Sequence, residues 1–291
     1  MTTITASMVK ELRERTGLGM MDCKKALSDA DGDMERAIED LRKASGLKAA
    51  KKASRVAAEG VVMAKVSEDG NRGVIIEVNS ETDFVARDEN FLGFSKKALG
   101  SAFEENEATV EELLEQGLEE SRQALVQKIG ENINLRRLER LNFEDANQGI
   151  VESYVHNNGK IGVLISLQGG DEALARDVAM HVAAVNPMVV RPEDVPEDIL
   201  AKESEIYSAQ ARDSGKPEEI VERMISGRLR KFVAEVSLLE QQFVKDPEVT
   251  IRDLLKEVGA DIVRFVRYEV GEGIEKEEDD FAAEVAAQLN S

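Results

Sequence analysis

The chain has no tryptophan, one cysteine and two histidines in 291 residues. With only Cys23, no intramolecular disulfide can form, and such cysteine usage fits a reducing, cytoplasmic compartment. Cys23, His156 and His181 stand too far apart for metal-ligand spacing. Aromatics make up 4% of the residues against 42% apolar, so the core is expected to be aliphatic. No run approaches the roughly 18 apolar residues of a membrane span. Met1–Thr5 does not start a charged segment followed by an apolar one, so no secretory leader is expected. A glycine-rich phosphate cradle, a dinucleotide fingerprint after a strand and a Gly-x-Ser-x-Gly elbow are all missing. Basic residues are outnumbered 38 to 58, giving a net charge of -20. That argues against direct nucleic-acid binding, which depends on neutralising phosphates, and favours attraction to basic protein surfaces.

What the chain does have is a segment present twice. Residues 60–88 and 149–177 align without a gap, 89 positions apart. Gly60, Val62, Val66, Gly70, Gly73, Val74, Ile76, Ala86, Arg87 and Asp88 recur as Gly149, Val151, Val155, Gly159, Gly162, Val163, Ile165, Ala175, Arg176 and Asp177. Most are turn or core types. The first copy carries Thr82-Asp83-Phe84 where the second has Asp171-Glu172-Ala173. A duplicated scaffold accounts for the glycines and the aliphatic positions but not for the phenylalanine. An unmatched aromatic beside a carboxylate, at a strand-to-helix turn, is the first place to look for function. Arg87 and Asp88 recur and read as structural.

The fold class expected is α+β. Residues 5–44 read as three short helices: the first with Met8, Val9 and Leu12, ended by Gly17; the second from Met20; the third capped by Asp33. A bundle this small leaves no room for a deep pocket and suits an interaction module. The following stretch, with Arg42, Lys43, Lys48, Lys51, Lys52 and Arg55, is a solvated linker helix or a contact strip for an acidic surface. Each repeat reads strand, turn, strand, turn, helix. In the first copy the strands are Val61–Val66 and Gly73–Val78, with a helix from about Phe84 to Gly100; in the second, Asn157-Asn158-Gly159 is a hairpin signal and the helix follows Asp171. Between the copies, Thr109 to Glu112 resembles a capping box, Glu119–Ile129 is helical, and Ile133–Leu141 is a strand. The glutamates between 104 and 120 read as a solvated face. Residues 191–230, broken at Ser214-Gly215-Lys216-Pro217, read as an inserted antiparallel helical hairpin too polar to form its own core, which suits packing on a second chain. Thr250 starts another helix, Ile262–Val270 is an alternating strand, and Gly271 and Gly273 lead to a terminal helix over 279–289. Its Phe281, Val285 and Leu289 make it a core cap or a partner-binding arm.

Glu81, Asp83 and Asp88 are a candidate metal or acid-base set. They flank a turn, however, where such residues commonly cap helices, so no metal, no cofactor and no bond-making chemistry is expected. The composition favours a binding protein over an enzyme. An adaptor that binds peptides through its helical module is the rival reading.

Thr82-Asp83-Phe84-Val85-Ala86-Arg87-Asp88, following Val74–Val78, resembles the core signature of the bacterial translation elongation factor Ts family. So do the run Leu12 to Leu27, with Arg13, Met20-Met21 and Lys24, and the tail from Phe265 to Glu275. The resemblance spans essentially the whole chain in order. Ser80 departs from it, since relatives often carry cysteine there.

The resemblance implies a cytoplasmic guanine-nucleotide exchange factor for elongation factor Tu, in its GDP-bound and nucleotide-free forms. It implies an N-terminal ubiquitin-associated-like module with basic linker (1–55), a core of two subdomains (56–142; 143–190 with 231–270), an inserted helical hairpin used in homodimer contacts (191–230) and a C-terminal module (271–291). It also implies GTPase contacts from Thr82, Asp83, Phe84 and Val85, with Asp83-Phe84 inserted near the GTPase's Mg²⁺ and nucleotide site. Arg13, Met20, Met21, Lys24, His156 and Phe281 are the remaining contacts carried over. Met21 reads equally well as bundle core, and His156 as ordinary turn surface.

Overall fold

A computed structural model describes residues 3–143, 149–212 and 217–275. The terminal helix expected over 279–289, with Phe281, lies outside these residues. The first three helices are α1 (Ala6–Thr16), α2 (Met20–Asp29) and α3 (Met34–Lys52). Thr5 caps α1 by accepting from the Met8 amide, and Asp33 caps α3 by accepting from that of Arg36. Gly17, in the left-handed region at φ 69°, turns the chain between α1 and α2. Leu12, Cys23, Leu27 and Ala37 are fully buried and form a separate small core.

α3 is longer than a three-helix module requires, and its extension carries the basic stretch. That stretch is in part the solvated helix expected, with Lys43, Lys48 and Lys51 exposed, but its other side is engaged with the core. Arg42 pairs with Glu120, Ser45 bonds Gln127, and the Lys52 ammonium donates to the Gly130 carbonyl. All three partners lie on or just after α6 (Glu119–Ile129), so the stretch is what docks the module on the core. Two glutamates of the supposed solvated face, Glu119 and Glu120, are thus engaged: Glu119 holds Arg122 by a bidentate pair at 2.7 Å.

The core consists of two three-stranded antiparallel sheets, each with a helical layer. Strands β1 (Glu59–Val66), β2 (Arg72–Ser80) and β3 (Ile133–Asn142) form one sheet, with β2 central. Helix α4 (Glu89–Glu104), the short α5 (Val110–Leu113) and α6 cover it. Thr109 and Glu112 complete the capping box at the start of α5. Strands β4 (Ile150–Val155), β5 (Ile161–Gln168) and β8 (Asp261–Glu269) form the second sheet, with β5 central and α7 (Glu172–Val185) behind it. The intervening chain forms a helical hairpin of α8 (Glu197–Arg212) and α9 (Glu218–Val236), then a small ribbon of β6 (Gln242–Phe243) and β7 (Asp246–Thr250), and α10 (Ile251–Val258). α9 runs six residues past the boundary at 230, because Leu238 and Leu239 just beyond it must reach the second core.

The two sheets pack face to face through Val62, Ile75, Leu141, Val151, Leu164 and Val266. The packing has a quasi-two-fold. A Cβ at Gly73 would come 2.7 Å from Leu164 and 2.8 Å from Val151. One at Gly162 would collide with Val62 and lie 3.3 Å from Ile75, the residues that match Val151 and Leu164 in the repeat. Backbone bonds obey the same exchange: Val62 N–H donates to Gly159 at 2.8 Å and Val151 N–H to Gly70 at 2.6 Å. Even the β-bulge recurs, between Glu77 and Val78 and between Ser166 and Leu167. The repeated glycines are therefore explained by contact between the copies as well as by turns.

His181, on α7, is fully buried where the hairpin joins the second core. The Val244 amide donates to its Nδ1 at 3.3 Å, so the ring proton sits on Nε2 and goes to Gln241 Oε1 at 2.9 Å. Gln241 in turn donates to the Glu235 carbonyl at the end of α9. Burial pushes the imidazole pKa below its usual 6.5, against the opposing pull of the Gln241 bond.

Two outcomes follow for stability. Gly162→Ala should cost about 1–3 kcal/mol by overpacking, whereas Gly93→Ala, in α4 with open space around it, should gain about 0.5–1 kcal/mol. Denaturant unfolding measures both, and equal midpoints for the two variants would remove the tight sheet contact from the account. Below pH 6.5 the unfolded chain protonates its histidine while the folded chain does not, so stability falls as pH drops from 6.5 towards the lower folded-state value. Unfolding midpoints across that window should decline less in His181→Gln than in the parent; parallel declines would show that His181 is not the group responsible.

Candidate functional site

β2 ends at Ser80, and the chain does not enter a helix directly. Val85–Arg87 form one 3₁₀ turn, and α4 begins only at Glu89. The helix expected from Phe84 is thus displaced by five residues. The cause is Asp88, whose Oδ1 accepts from the amides of Asn90 at 2.8 Å and Phe91 at 3.3 Å and so caps α4 itself. In the second copy the cap is Asp171, aligned with Thr82, and α7 starts at once. The first copy therefore carries a separate turn, Thr82–Arg87, and the aromatic sits on it.

The turn is anchored on both sides of the aromatic, at Thr82 and at Val85-Ala86. Ser80, fully buried, donates its hydroxyl to the Thr82 carbonyl at 2.9 Å. Ser80 thus touches the turn directly. Glu131 accepts from the amides of Glu81 and Thr82 and from the Thr82 hydroxyl. Val85 packs against the first core, and Ala86 is buried within it. Asp83 pairs with Arg87 at 2.9 Å on the surface. Phe84 is 81% exposed, the most exposed of the large apolar side chains among the described residues.

Asp88 is structural, as expected, and its role is that of a helix cap. The Asn90 side chain leads the groups that hold its carboxyl below the usual value. Asp177, its counterpart, lies inside α7 and pairs with Lys245, so the two aspartates share a sequence position and not a role. Among the described residues no group of three or more His, Cys, Asp or Glu side chains is arranged to hold a metal.

The other candidate residues lie on two further surfaces. Met20 and Met21, at the first turn of α2, are 60% and 75% exposed. The bundle core is complete without them, so Met21 is surface. Arg13 and Lys24 are exposed on the same module. A cleft between Thr16-Gly17 and Asn90, Gly93 and Lys97 sets the α1–α2 corner beside α4, the helix that leaves the Phe84 turn. His156 is exposed in the β4–β5 turn, with Tyr154 Oη 3.0 Å from its Nδ1. That turn lies against β1: Lys160 pairs with Glu59 at 2.7 Å, and Glu59 stands opposite Ser80 in the sheet register. The β4–β5 turn therefore emerges beside the strand end from which Thr82 departs.

Sequence reading missed Glu131 and Asn132, since a glutamate after a helix-ending glycine gives no local signal of a contact 50 residues away. It also missed Glu77, the one fully buried carboxylate among the described residues. This accepts from Arg137 Nε at 2.6 Å, Arg136 at 3.1 Å, Asn79 at 2.9 Å and the Gly271 amide at 2.8 Å. Burial raises its pKa, but these donors outweigh burial and hold it below the ordinary carboxylate value. Arg136 and Arg137 also bond the carbonyls of Glu272 and Glu269, so this cluster ties the end of the second sheet to the first.

A family model described as Elongation factor TS matches residues 81–272. A protein of Hahella chejuensis named Elongation factor Ts is 64% identical over 289 residues, covering 99% of each chain. Proteins of the same name from Teredinibacter turnerae and Marinobacter nauticus are each 60% identical over 287 residues, covering 98% and 99% of this chain and 97% and 98% of their own lengths. With this coverage, and with the signature turn built as described, the chain belongs to the elongation factor Ts family.

Proposed function

We propose that the chain is a guanine-nucleotide exchange factor acting in translation elongation, which binds elongation factor Tu carrying GDP and accelerates release of the nucleotide. The single observation that carries this reading is Phe84, a large apolar side chain held 81% exposed on a turn anchored on both sides of it. Family membership supplies the partner.

Exchange makes and breaks no covalent bond, so on this reading the protein is not an enzyme of bond-making chemistry. The factor has only to bind the nucleotide-free conformation of the GTPase better than the loaded one. Linkage then requires that GDP and the factor weaken each other's binding by the same ratio. A wedge meets this requirement, because its site on the partner exists only in the distorted state. Burying one phenylalanine supplies roughly 1.5–3 kcal/mol, about one to two orders of magnitude in an equilibrium constant. Asp83 can change partners cheaply, since an exposed i,i+4 pair with Arg87 holds only about 0.3–0.5 kcal/mol. Thr82 and Val85 flank the wedge. Arg13, Met20, Met21 and Lys24 offer a second contact, and flexible methionines suit a surface that must adapt. His156 offers a third. The net charge of -20 supports a protein partner over nucleic acid. The α8–α9 hairpin, with Ile206 and Ile220 exposed, is the homodimer contact in this reading.

The test is release of a fluorescent GDP analogue from purified elongation factor Tu. The parent chain should accelerate it, and Phe84→Ala should lower kcat/KM by about ten- to a hundred-fold with little change in melting temperature. No acceleration by the parent would return the chain to the adaptor reading, while a large loss of stability in the variant would make Phe84 a core residue and end the wedge account.

A further inference from the structure

We propose that Glu131 is the positioning residue of the Asp83-Phe84 turn: its carboxylate, from the α6–β3 connection, fixes the turn in the orientation that exchange requires. This rests on the function proposed above and deepens it.

The geometry is concentrated on one side chain. Oε2 accepts from the Glu81 amide at 3.1 Å and the Thr82 amide at 3.0 Å, and Oε1 from the Thr82 hydroxyl at 2.7 Å. Bonds to an ionised acceptor are roughly twice as strong as neutral ones. The grip is reciprocal, because Glu81 Oε1 accepts from the Asn132 amide at 2.6 Å. Asn132, itself buried, donates to the Arg55 carbonyl at 2.8 Å. Phe84 has no comparable support of its own, so the direction of its ring depends on the backbone beneath it.

The second repeat is an internal control. From the helix-ending Gly130 to Asn134, which pairs with Asn79, the chain runs Glu131-Asn132-Ile133-Asn134. From the equivalent Gly259 to Asp261, which pairs with Gln168, it runs only Ala260-Asp261. Gln168 is the repeat counterpart of Asn79. The second connection is thus two residues shorter and has no carboxylate reaching the turn. There Gly169 and Gly170 approach Gly259 and Ala260 directly: a Cβ at Gly169 would come 2.9 Å from the Gly259 carbonyl oxygen, and one at Gly170 3.3 Å from the Ala260 Cβ. The copy without the exposed phenylalanine is also the copy without the clamp. The clamp thus accompanies the turn that carries Phe84 and is absent where the matching residues are helical.

Four chains, the parent, Phe84→Ala, Glu131→Ala and the double variant, should be compared in release of a fluorescent GDP analogue from elongation factor Tu. Glu131→Ala should lower kcat/KM by about ten-fold, since small misplacements of a positioned group carry penalties of that order or more. In the Phe84→Ala background the same change should cost nothing further, the mark of two residues acting as one unit. Glu131→Gln, which keeps one acceptor oxygen, should restore part of the loss. Amide hydrogen exchange should show the Thr82 amide deprotected in Glu131→Ala. If that variant does not fold, Thr82→Val, which removes the hydroxyl's bond to Glu131 and its long contact from the Val85 amide at 3.4 Å but keeps both amide bonds to Glu131, takes its place in the same cycle. Parent-like exchange in Glu131→Ala, or an equal loss in both backgrounds, overturns the positioning role and leaves the wedge standing. Parent-like exchange in Phe84→Ala overturns the wedge and, with it, this inference.

Discussion

The absence of a side chain at two positions governs the assembly of the core. Gly73 and Gly162 stand where the two sheets approach most closely, and each receives the aliphatic side chains of the opposite copy. Interiors packed to crystal density do not yield to an added methyl without moving backbone or forcing rotamers. The constraint acts reciprocally, since the residues received at Gly73 are the repeat counterparts of those received at Gly162. The bonds from Val62 to Gly159 and from Val151 to Gly70 hold the same register. Neither sheet, with three strands and one covered face, buries enough by itself, and the shared layer of Val62, Ile75, Leu164 and Val266 closes the remaining face of both.

On this symmetric frame the functional features lie where the copies differ. The repeat position of buried Glu77 is occupied by Ser166 in the second sheet, which merely donates to the Arg264 carbonyl. Glu77 instead collects two arginines and the Gly271 amide, so the first sheet fixes the path of the chain as it leaves β8. Residues 82–87 form a separate turn in the first copy, where the matching residues of the second copy already belong to α7 and its cap, and Glu131 with Asn132 accompanies that turn. A buried carboxylate is costly unless its oxygens are satisfied, and one satisfied by charged donors is hard to replace piecemeal. Glu77 meets that condition through its two arginines; Glu131, only half-buried, is satisfied instead by two backbone amides and a hydroxyl.

Much of the fold was legible in the sequence, for reasons that are local. Asp33, Thr109, Asp171 and Thr250 are caps whose partners lie within three residues, and each caps its helix. The α+β class followed from hairpins whose turn residues sit at fixed offsets in both copies. The start of α4 was misplaced because an apolar Phe-Val-Ala run after a strand mimics a helix, whereas the stronger signal was Asp88, a cap taken merely as part of a repeated triplet. The outcome for the basic stretch depended on Glu120, Gln127 and Gly130, about 80 residues away, and no pattern within residues 42–55 points to them. At the site, Phe84 was legible as the residue duplication could not explain. Glu131 was not, because only folding brings it to the turn.

Charge also bears on recognition. Several of the 38 basic residues are turned inward. Arg122 donates to the Ile133 carbonyl, Arg140 to those of Ala102 and Glu105, and Arg267, almost buried, to that of Ala183. Arg136 and Arg137 are committed to Glu77. These arginines are committed within the fold, the net charge remains -20, and its field reaches about a Debye length, roughly 8 Å at physiological ionic strength. Such a field steers encounter with a basic surface and discriminates little between conformations of the partner. Phe84 has the opposite character, uncharged, short in range and dependent on the shape of what receives it. For the proposed exchange the two are complementary: the acidic surface sets how often the partners meet, and the aromatic on its clamped turn sets which conformation of the partner is held.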